Sequence, residues 1–213
     1  MNYIHKTMYI NLDRCKERRK HIEHELENMG IKGERFSAIE REPGIIGTGL
    51  SHLAAIKRAK AEGWENVFVL EDDFKFTIDR QTLDIMLDSF FKINTSYDVI
   101  LLNSTVTKSK PFTAHMSYAK DAYGASAYIV HKGFYDTLIA NWENAIENLM
   151  DTQMYWLYGF DKSWTELQKK HNFLYFHDRI GQPKEMYRHI GKAVSDDDVF
   201  VGLSTLHFDR LFY

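Results

Sequence analysis

The chain has 213 residues, and 27 Lys and Arg against 30 Asp and Glu leave a formal charge of −3 with His neutral. At 44% hydrophobic, 27% charged and 14% aromatic it has a globular composition with material for a large core, which excludes collagen-like, coiled-coil and disordered classes. The absence of a basic excess argues against nucleic acid as a partner. The single cysteine, Cys15, excludes an internal disulfide and any zinc site built on three or four cysteines.

In chain order, Met8 to Asp13 reads as a short strand that stops at a polar cluster. Lys16 to Met29 reads as a helix, with Ile22, Leu26 and Met29 at helical spacing and Gly30 ending it. Phe36 to Ile39 suits a second short strand. Glu42-Pro43-Gly44 through Gly49 reads as a glycine-rich loop, after which Ser51 caps a helix carrying Leu53, Ile56 and Ala59. Val67 to Leu70 is an apolar run of the kind found in strands covered on both faces, and Asp98 to Leu102 is a second. A helix over Thr82 to Lys92 lies between them. Ser126 to Val130 gives a third such strand, followed by a helix from Gly133 to Trp142. A helix over Lys162 to Lys170 and a strand over Phe173 to Phe176 complete the pattern. Alternating strands and helices predict an α/β sandwich with a mainly parallel sheet, as one domain over residues 1–213. Residues 178–213 are expected to form a tail that wraps the core or lines a cleft.

In an open α/β sheet, ligands bind beyond the carboxyl ends of the strands. Three of the predicted strands end in polar groups: Asn11, Asp13 and Arg14, then Glu71, Asp72 and Asp73, then Asn103 and Ser104. Three successive carboxylates after a buried strand repel one another and lose hydration, and a divalent cation relieves both effects. If the chain stays extended, Glu71 and Asp73 point to one side and Asp72 to the other. Hard oxygen ligands suit Mg²⁺ or Mn²⁺, which keep positions open for phosphate oxygens. A solvated turn is the plainer reading of the same triplet. Arg14, at a strand-to-helix turn, is placed to meet a phosphate, whereas Arg18 and Arg19 suit a solvated helix face. The Gly44–Gly49 segment lacks the GK[ST] ending of a P-loop.

Four blocks together resemble glycosyltransferase family 25. They are Tyr9-Ile10-Asn11-Leu12-Asp13-Arg14 with Arg18-Arg19, Gly49-Leu50-Ser51-His52-Leu53-Ala54-Ala55-Ile56, Val69-Leu70-Glu71-Asp72-Asp73, and Tyr123 through Val130. Phe160-Asp161 before a late strand is a looser fifth match. The resemblance implies a GT-A-like fold, a UDP-sugar donor, a Mn²⁺ or Mg²⁺ ion, and inverting transfer of a hexose (galactose, glucose or N-acetylglucosamine) to a hydroxyl of a glycan or glycoprotein, as in lipopolysaccharide biosynthesis. It places Asn11, Asp13 and Arg14 near the nucleotide, with Gly49, Ser51, His52, Asp72 and Asn103 as further nucleotide-binding candidates. Gly49 stands where the family often has Cys. Glu71 and Asp73 become the metal ligands, and a late histidine, His189 ahead of His177, is the candidate for a third. Asp161, and after it Asp151, become the candidates for the base that takes the acceptor proton.

Structural roles stand beside these. His52 suits a hydrogen-bonding core histidine, Asp161 a helix cap, and Trp156, Tyr158 and Trp164 ordinary packing. Two other readings remain open: a metal-dependent phosphohydrolase using Asp13 as nucleophile, and a non-catalytic nucleotide-sugar-binding or adhesion module of the same fold. With no signal peptide or membrane span read from the sequence, a cytoplasmic setting is expected, leaving peripheral membrane association open.

Overall fold

The computed structural model describes residues 2–93 and 95–184. The chain order is β1 (Lys6–Asn11), α1 (Lys16–Asn28), β2 (Gly33–Ser37), α2 (Gly44–Ala61), β3 (Asn66–Glu71), β4 (Phe74–Phe76), α3 (Arg80–Phe91), β5 (Val99–Pro111) and β6 (Met116–His131). A short 3₁₀ turn then leads into α4 (Tyr135–Thr152), followed by α5 (Tyr155–Tyr158), α6 (Phe160–Ser163), α7 (Thr165–Gln168), β7 (Phe173–Phe176) and β8 (Gly181–Pro183).

A six-stranded sheet runs β2-β1-β3-β6-β5-β7, and β4 pairs separately with β8. Strands β1, β2, β3, β5 and β7 share one direction, and β6 alone in this sheet is reversed. The molecule is thus a mixed α/β fold with a mainly parallel central sheet, as expected. Every residue of β3 is buried, because successive side chains enter opposite cores. Val67 and Val69 join the cluster under α2 and α4, with Ile56, Tyr128, Trp142 and Trp164. Phe68 and Leu70 join the cluster under α1 and α3, with Ile22, Leu26, Leu83 and Phe90.

Several elements depart from the sequence expectation. The glycine-rich stretch is the first part of α2 and not a loop. A Cβ at Gly47 would stand 2.6 Å from the Ile39 carbonyl, and one at Gly49 would stand 3.2 Å from the Ile146 side chain on α4. These glycines let a helix approach its neighbours closely, and that packing outweighs their poor helix propensity. Ser51 therefore lies inside the helix and is not its cap. Its Oγ donates to the Gly47 carbonyl at 2.7 Å and accepts from the Ile39 amide at 2.8 Å, tying the link after β2 to α2. The helix expected over Lys162 to Lys170 is broken into the single turns α6 and α7.

The strands expected at Asp98–Leu102 and Ser126–Val130 are far longer. They continue past the sheet as a polar ribbon, with register shifts at Leu101/Asn103 and Asn103/Thr105. The ribbon curls back, so that Tyr175 of β7 pairs with Leu101 of β5 on one side and Ser117 of β6 on the other. Of the expected tail, 178–184 supply β8, which braces β4; the rest lies outside the described residues. Among the described residues no helix is long and apolar enough to cross a membrane.

The close approach at Gly47 gives a direct test. Gly47→Ala is expected to lower stability by about 1–3 kcal/mol through overpacking against backbone. Gly44→Ala, where a Cβ meets nothing within 4 Å, should change it by under about 0.5 kcal/mol. Urea unfolding of both variants measures the difference.

Candidate active site

The parallel strands β1 and β3 end side by side, with Ile10 opposite Glu71. At this edge the chain leaves β3 through a turn at Asp72 and Asp73 before entering β4. Period-two alternation stops at the turn, so the expectation that Glu71 and Asp73 face one ion together does not hold. Asp72 and Asp73 both turn to Arg18 on α1, whose guanidinium NH2 lies 2.6 Å from Asp72 Oδ1 and 3.2 Å from Asp73 Oδ2. Glu71 turns the other way, with Oε1 3.2 Å from His52 Nε2. Among the described residues no three His, Cys, Asp or Glu side chains converge as a metal-holding group. His189, the third ligand expected, lies outside the described residues.

All three acids are buried, at 3%, 1% and 3% relative exposure for Glu71, Asp72 and Asp73, and Arg18 is 6% exposed. Arg18 is thus not on a solvated helix face, unlike Arg19, which pairs with Glu23 on the surface. Burial opposes the Arg18 charge, but Asp72 and Asp73 more than restore it, and its pKa is raised. Burial pushes the Asp72 carboxyl up to about 6, with Arg18 and Asn11 working against that rise. It pushes Glu71 up to about 7. Asn11 Nδ2 donates to Asp72 Oδ2 at 2.7 Å and to the Cys15 carbonyl at 3.0 Å, so one amide links the end of β1, the start of α1 and the acidic turn. Its Oδ1 accepts from Arg35 Nε.

Arg35, on β2, was not a sequence candidate. It also donates to Asp13, whose Oδ1 accepts from Ser37 Oγ as well. These contacts hold the exposed Asp13 carboxyl below its usual range. Arg14 is drawn to Glu40 at 2.8 Å. The signal for Arg35 was the polar, half-buried pattern of β2 beside β1, which a search for apolar runs passes over.

Behind the acidic turn lies a buried polar chain. His52 Nδ1 is 2.7 Å from the Tyr128 hydroxyl, and its ring stacks on Phe160 at 4.5 Å between centroids. Full burial drops the His52 pKa to about 3, so the ring is neutral and carries one N–H. With Glu71 ionised, Nε2–H donates to the carboxylate and Tyr128 O–H donates to Nδ1. With Glu71 protonated, its O–H donates to Nε2 and Nδ1–H donates to Tyr128. Glu71 Oε2 is buried without a hydrogen-bond partner among the described residues. Asp161 joins this interior: Oδ2 accepts from the Gly124 amide at 2.9 Å, and burial raises its pKa. It is 6% exposed.

The remaining candidates are dispersed. Gly49 packs on Ile146, as described above. Asp151 is exposed near the end of α4. Asn103 donates to Ser126 Oγ at 2.6 Å, across the ribbon. The structure therefore joins Asn11, Arg18, Asp72 and Asp73 in one cluster and Glu71, His52, Tyr128 and Asp161 in another directly behind it.

No family model matches the chain, and no curated protein matches it. Among solved structures it is similar to mannose-1-phosphate geranyltransferase from Thermus thermophilus, at 10% identity and TM-score 0.46, over 81% of this chain and 73% of that one. It is also similar to a glycosyltransferase involved in the glycosylation of the major capsid of PBCV-1, at 10% identity and TM-score 0.42, over 81% and 91%. A third is UDP-glucose pyrophosphorylase complexed with UDP-glucose, at 10% identity and TM-score 0.47, over 84% and 92%. All three scores lie below 0.5.

The two clusters make separate predictions. Arg18→Met removes the guanidinium that faces buried Asp72 and Asp73 and is expected to destabilise by about 3–5 kcal/mol. Adding Asp72→Asn should recover part of that loss in urea unfolding. For Glu71, the native pKa of about 7 lies above the ordinary value of 4.5, so the native state holds its proton more tightly. The stability this contributes is full below the lower value and is lost as pH rises through the higher one. The advantage of Glu71→Gln over wild type should therefore grow by about 1 kcal/mol from pH 6 to 8. A difference that stays flat over that range contradicts the assignment.

Proposed function

We propose that the chain is a nucleotide-sugar-dependent glycosyltransferase that moves a hexose from a UDP-sugar to a glycan hydroxyl. The observation that carries this reading is the acidic turn. Two carboxylates face the Arg18 guanidinium and a third stands directly behind them, nearly without solvent, at the edge of the sheet where β1 and β3 end. The four sequence blocks that resemble glycosyltransferase family 25 support it, since two of them supply Asn11, Arg18, Asp72 and Asp73.

The donor set suits a divalent cation in chemistry and in charge: hard oxygens with excess negative charge. Asp72 and Asp73 are the pair that would hold it, and two carboxylates suffice where phosphate oxygens complete the shell. Bound there, Mn²⁺ or Mg²⁺ would offset charge on the diphosphate. Arg18 holds the two carboxylates oriented. Asn11 fixes the turn relative to the start of α1. Arg35 and Arg14 add positive charge beside the ends of β1 and β2.

In the reaction, the bond between the anomeric carbon and the phosphate oxygen breaks, and its electron pair leaves with the nucleotide. The acceptor oxygen forms the new bond and its proton passes to a carboxylate base. The phosphohydrolase reading has less support, because Asp13 Oδ1 is held by Arg35 and Ser37.

The test is a panel of UDP-galactose, UDP-glucose and UDP-N-acetylglucosamine with MnCl₂, scored for UDP release. At least one donor should turn over, and Asp73→Asn should lower that rate by about 100-fold or more. Release of inorganic phosphate in place of UDP, or full activity in Asp73→Asn, would overturn the reading.

A further inference from the structure

A cleft of about 310 Å³ opens between β5 and β7, apart from the acidic turn. It exists because of how the ribbon leaves the sheet. Strands β5 and β7 pair as far as Leu101 and Tyr175 and then part. The register shifts on either side of Asn103 turn β5 away, and the returning β6 closes on the far edge of β7 at Ser117. Bulges of this kind recur beside active sites because they re-aim the strand. The polar part of the gap left where β5 and β7 diverge is lined by Asn103, Ser104, Tyr175, His177, Asp178 and Arg179, and four apolar residues complete its walls.

That lining is a polar mixture on an aromatic. It includes an amide, a hydroxyl, an imidazole, a carboxylate and a guanidinium, beside the half-buried Tyr175 ring. His177 Nε2 is fixed by Ser117 Oγ at 2.9 Å, and the Arg179 carbonyl accepts from Thr77 Oγ1 at 2.8 Å. The wall is thus held from both sides. Planar hydrogen-bonding groups beside a ring match a pyranose, which offers vicinal hydroxyls at its edge and C–H bonds on its face. Asn103, His177 and Arg179 are each held by a neighbour, Ser126, Ser117 and Gln182 respectively, so the polar wall is oriented before a ligand arrives.

The cleft also stands at the right place. Ala127 of β6 is the register partner of both Leu70 and Asn103. The residue before Glu71 and the rim of the cleft therefore lie two strand spacings apart, about 10 Å. A hexose carried on a diphosphate at the acidic turn bridges such a gap.

We propose that this cleft is the acceptor subsite and takes a pyranose hydroxyl. The proposal rests on the transferase reading and supplies the part it lacked, since Asp161 is buried. Among the described residues that line the cleft, Asp178 carries the one carboxylate, and it is exposed. In the transfer, the acceptor oxygen bonds to the anomeric carbon, the anomeric carbon–phosphate oxygen bond breaks with its electron pair leaving on UDP, and the hydroxyl proton passes to Asp178.

The test has a binding arm and a transfer arm, both on the full chain. Saturation-transfer NMR is recorded with methyl β-D-galactopyranoside, methyl β-D-glucopyranoside and methyl α-D-mannopyranoside. At least one glycoside should receive saturation from wild type and from Lys32→Ala, a surface variant away from the cleft. Arg179→Ala should weaken that glycoside about tenfold or more, as expected for loss of a charge-assisted hydrogen bond. Asp178→Asn should bind the same glycoside as wild type does but transfer no sugar to it. Near-UV circular dichroism reports the fold of each variant. Equal binding in Arg179→Ala, no saturation of any glycoside, or sugar transfer by Asp178→Asn overturns the proposal. Failure of wild type to release UDP from any donor removes the transferase reading and the acceptor role together, while the binding arm still reports on the cleft by itself.

Discussion

The arrangement depends on one buried ion pair. Arg18 reaches from α1 to Asp72 and Asp73, and without that guanidinium the turn after β3 would hold adjacent carboxylates in a space with almost no water. Breaking such a pair is costly because the surviving charge has nothing to replace its lost hydration. The pair also fixes geometry. It holds α1 against the turn, and Asn11 repeats the connection by bonding Asp72 and the Cys15 carbonyl together. On the outer side β4 is braced by β8, and the Lys184 amide donates to the Asp73 carbonyl at 2.8 Å. A turn that would otherwise spring open by like-charge repulsion is therefore held on three sides.

The sheet was legible in the sequence where burial was two-sided. Val67 to Leu70 and Phe173 to Phe176 are apolar without interruption, and both are strands within a residue or two of their expected limits. The α1 helix was legible from Ile22, Leu26 and the stop at Gly30, which adopts φ +57°. The ribbon formed by β5 and β6 was not, because the distal half of β5 is solvated and polar and carries no periodic signal. The glycines of α2 were misread because their meaning is a contact with Ile39 and Ile146, residues that local pattern does not bring to mind.

The candidate site was legible in part, for the same reason. Chemistry-bearing residues at strand ends were found, because a polar cluster after an apolar run stands out. Their partners were not. Arg18 lies in a helix beside Arg19 and Lys20, and nothing local says that one of these three is buried and the others solvated. Glu71 and Asp73 were assigned to one side by alternation, which holds only while the strand continues. The chain turns at Asp72, and that turn reassigns the pairings: Glu71 to His52, Asp73 to Arg18.

The reversal of β6 explains why one edge of the sheet holds two distinct environments. A parallel strand in that place would end at the same edge as its neighbours and would need a long crossover. An antiparallel strand can instead arrive from beyond the sheet, and here it comes in through the ribbon, past Gly124 at φ +94°, and brings Tyr128 in beneath His52. The same incoming strand gives up the Gly124 amide to Asp161 and the Ala122 amide to Gln168. Its inner half therefore seals the space behind the acidic turn with buried aromatic and polar groups. Its outer half stays in the ribbon and leaves the cleft between β5 and β7 open. One strand thus carries both the buried contacts to His52, Asp161 and Gln168 and the pairing with β5 and β7.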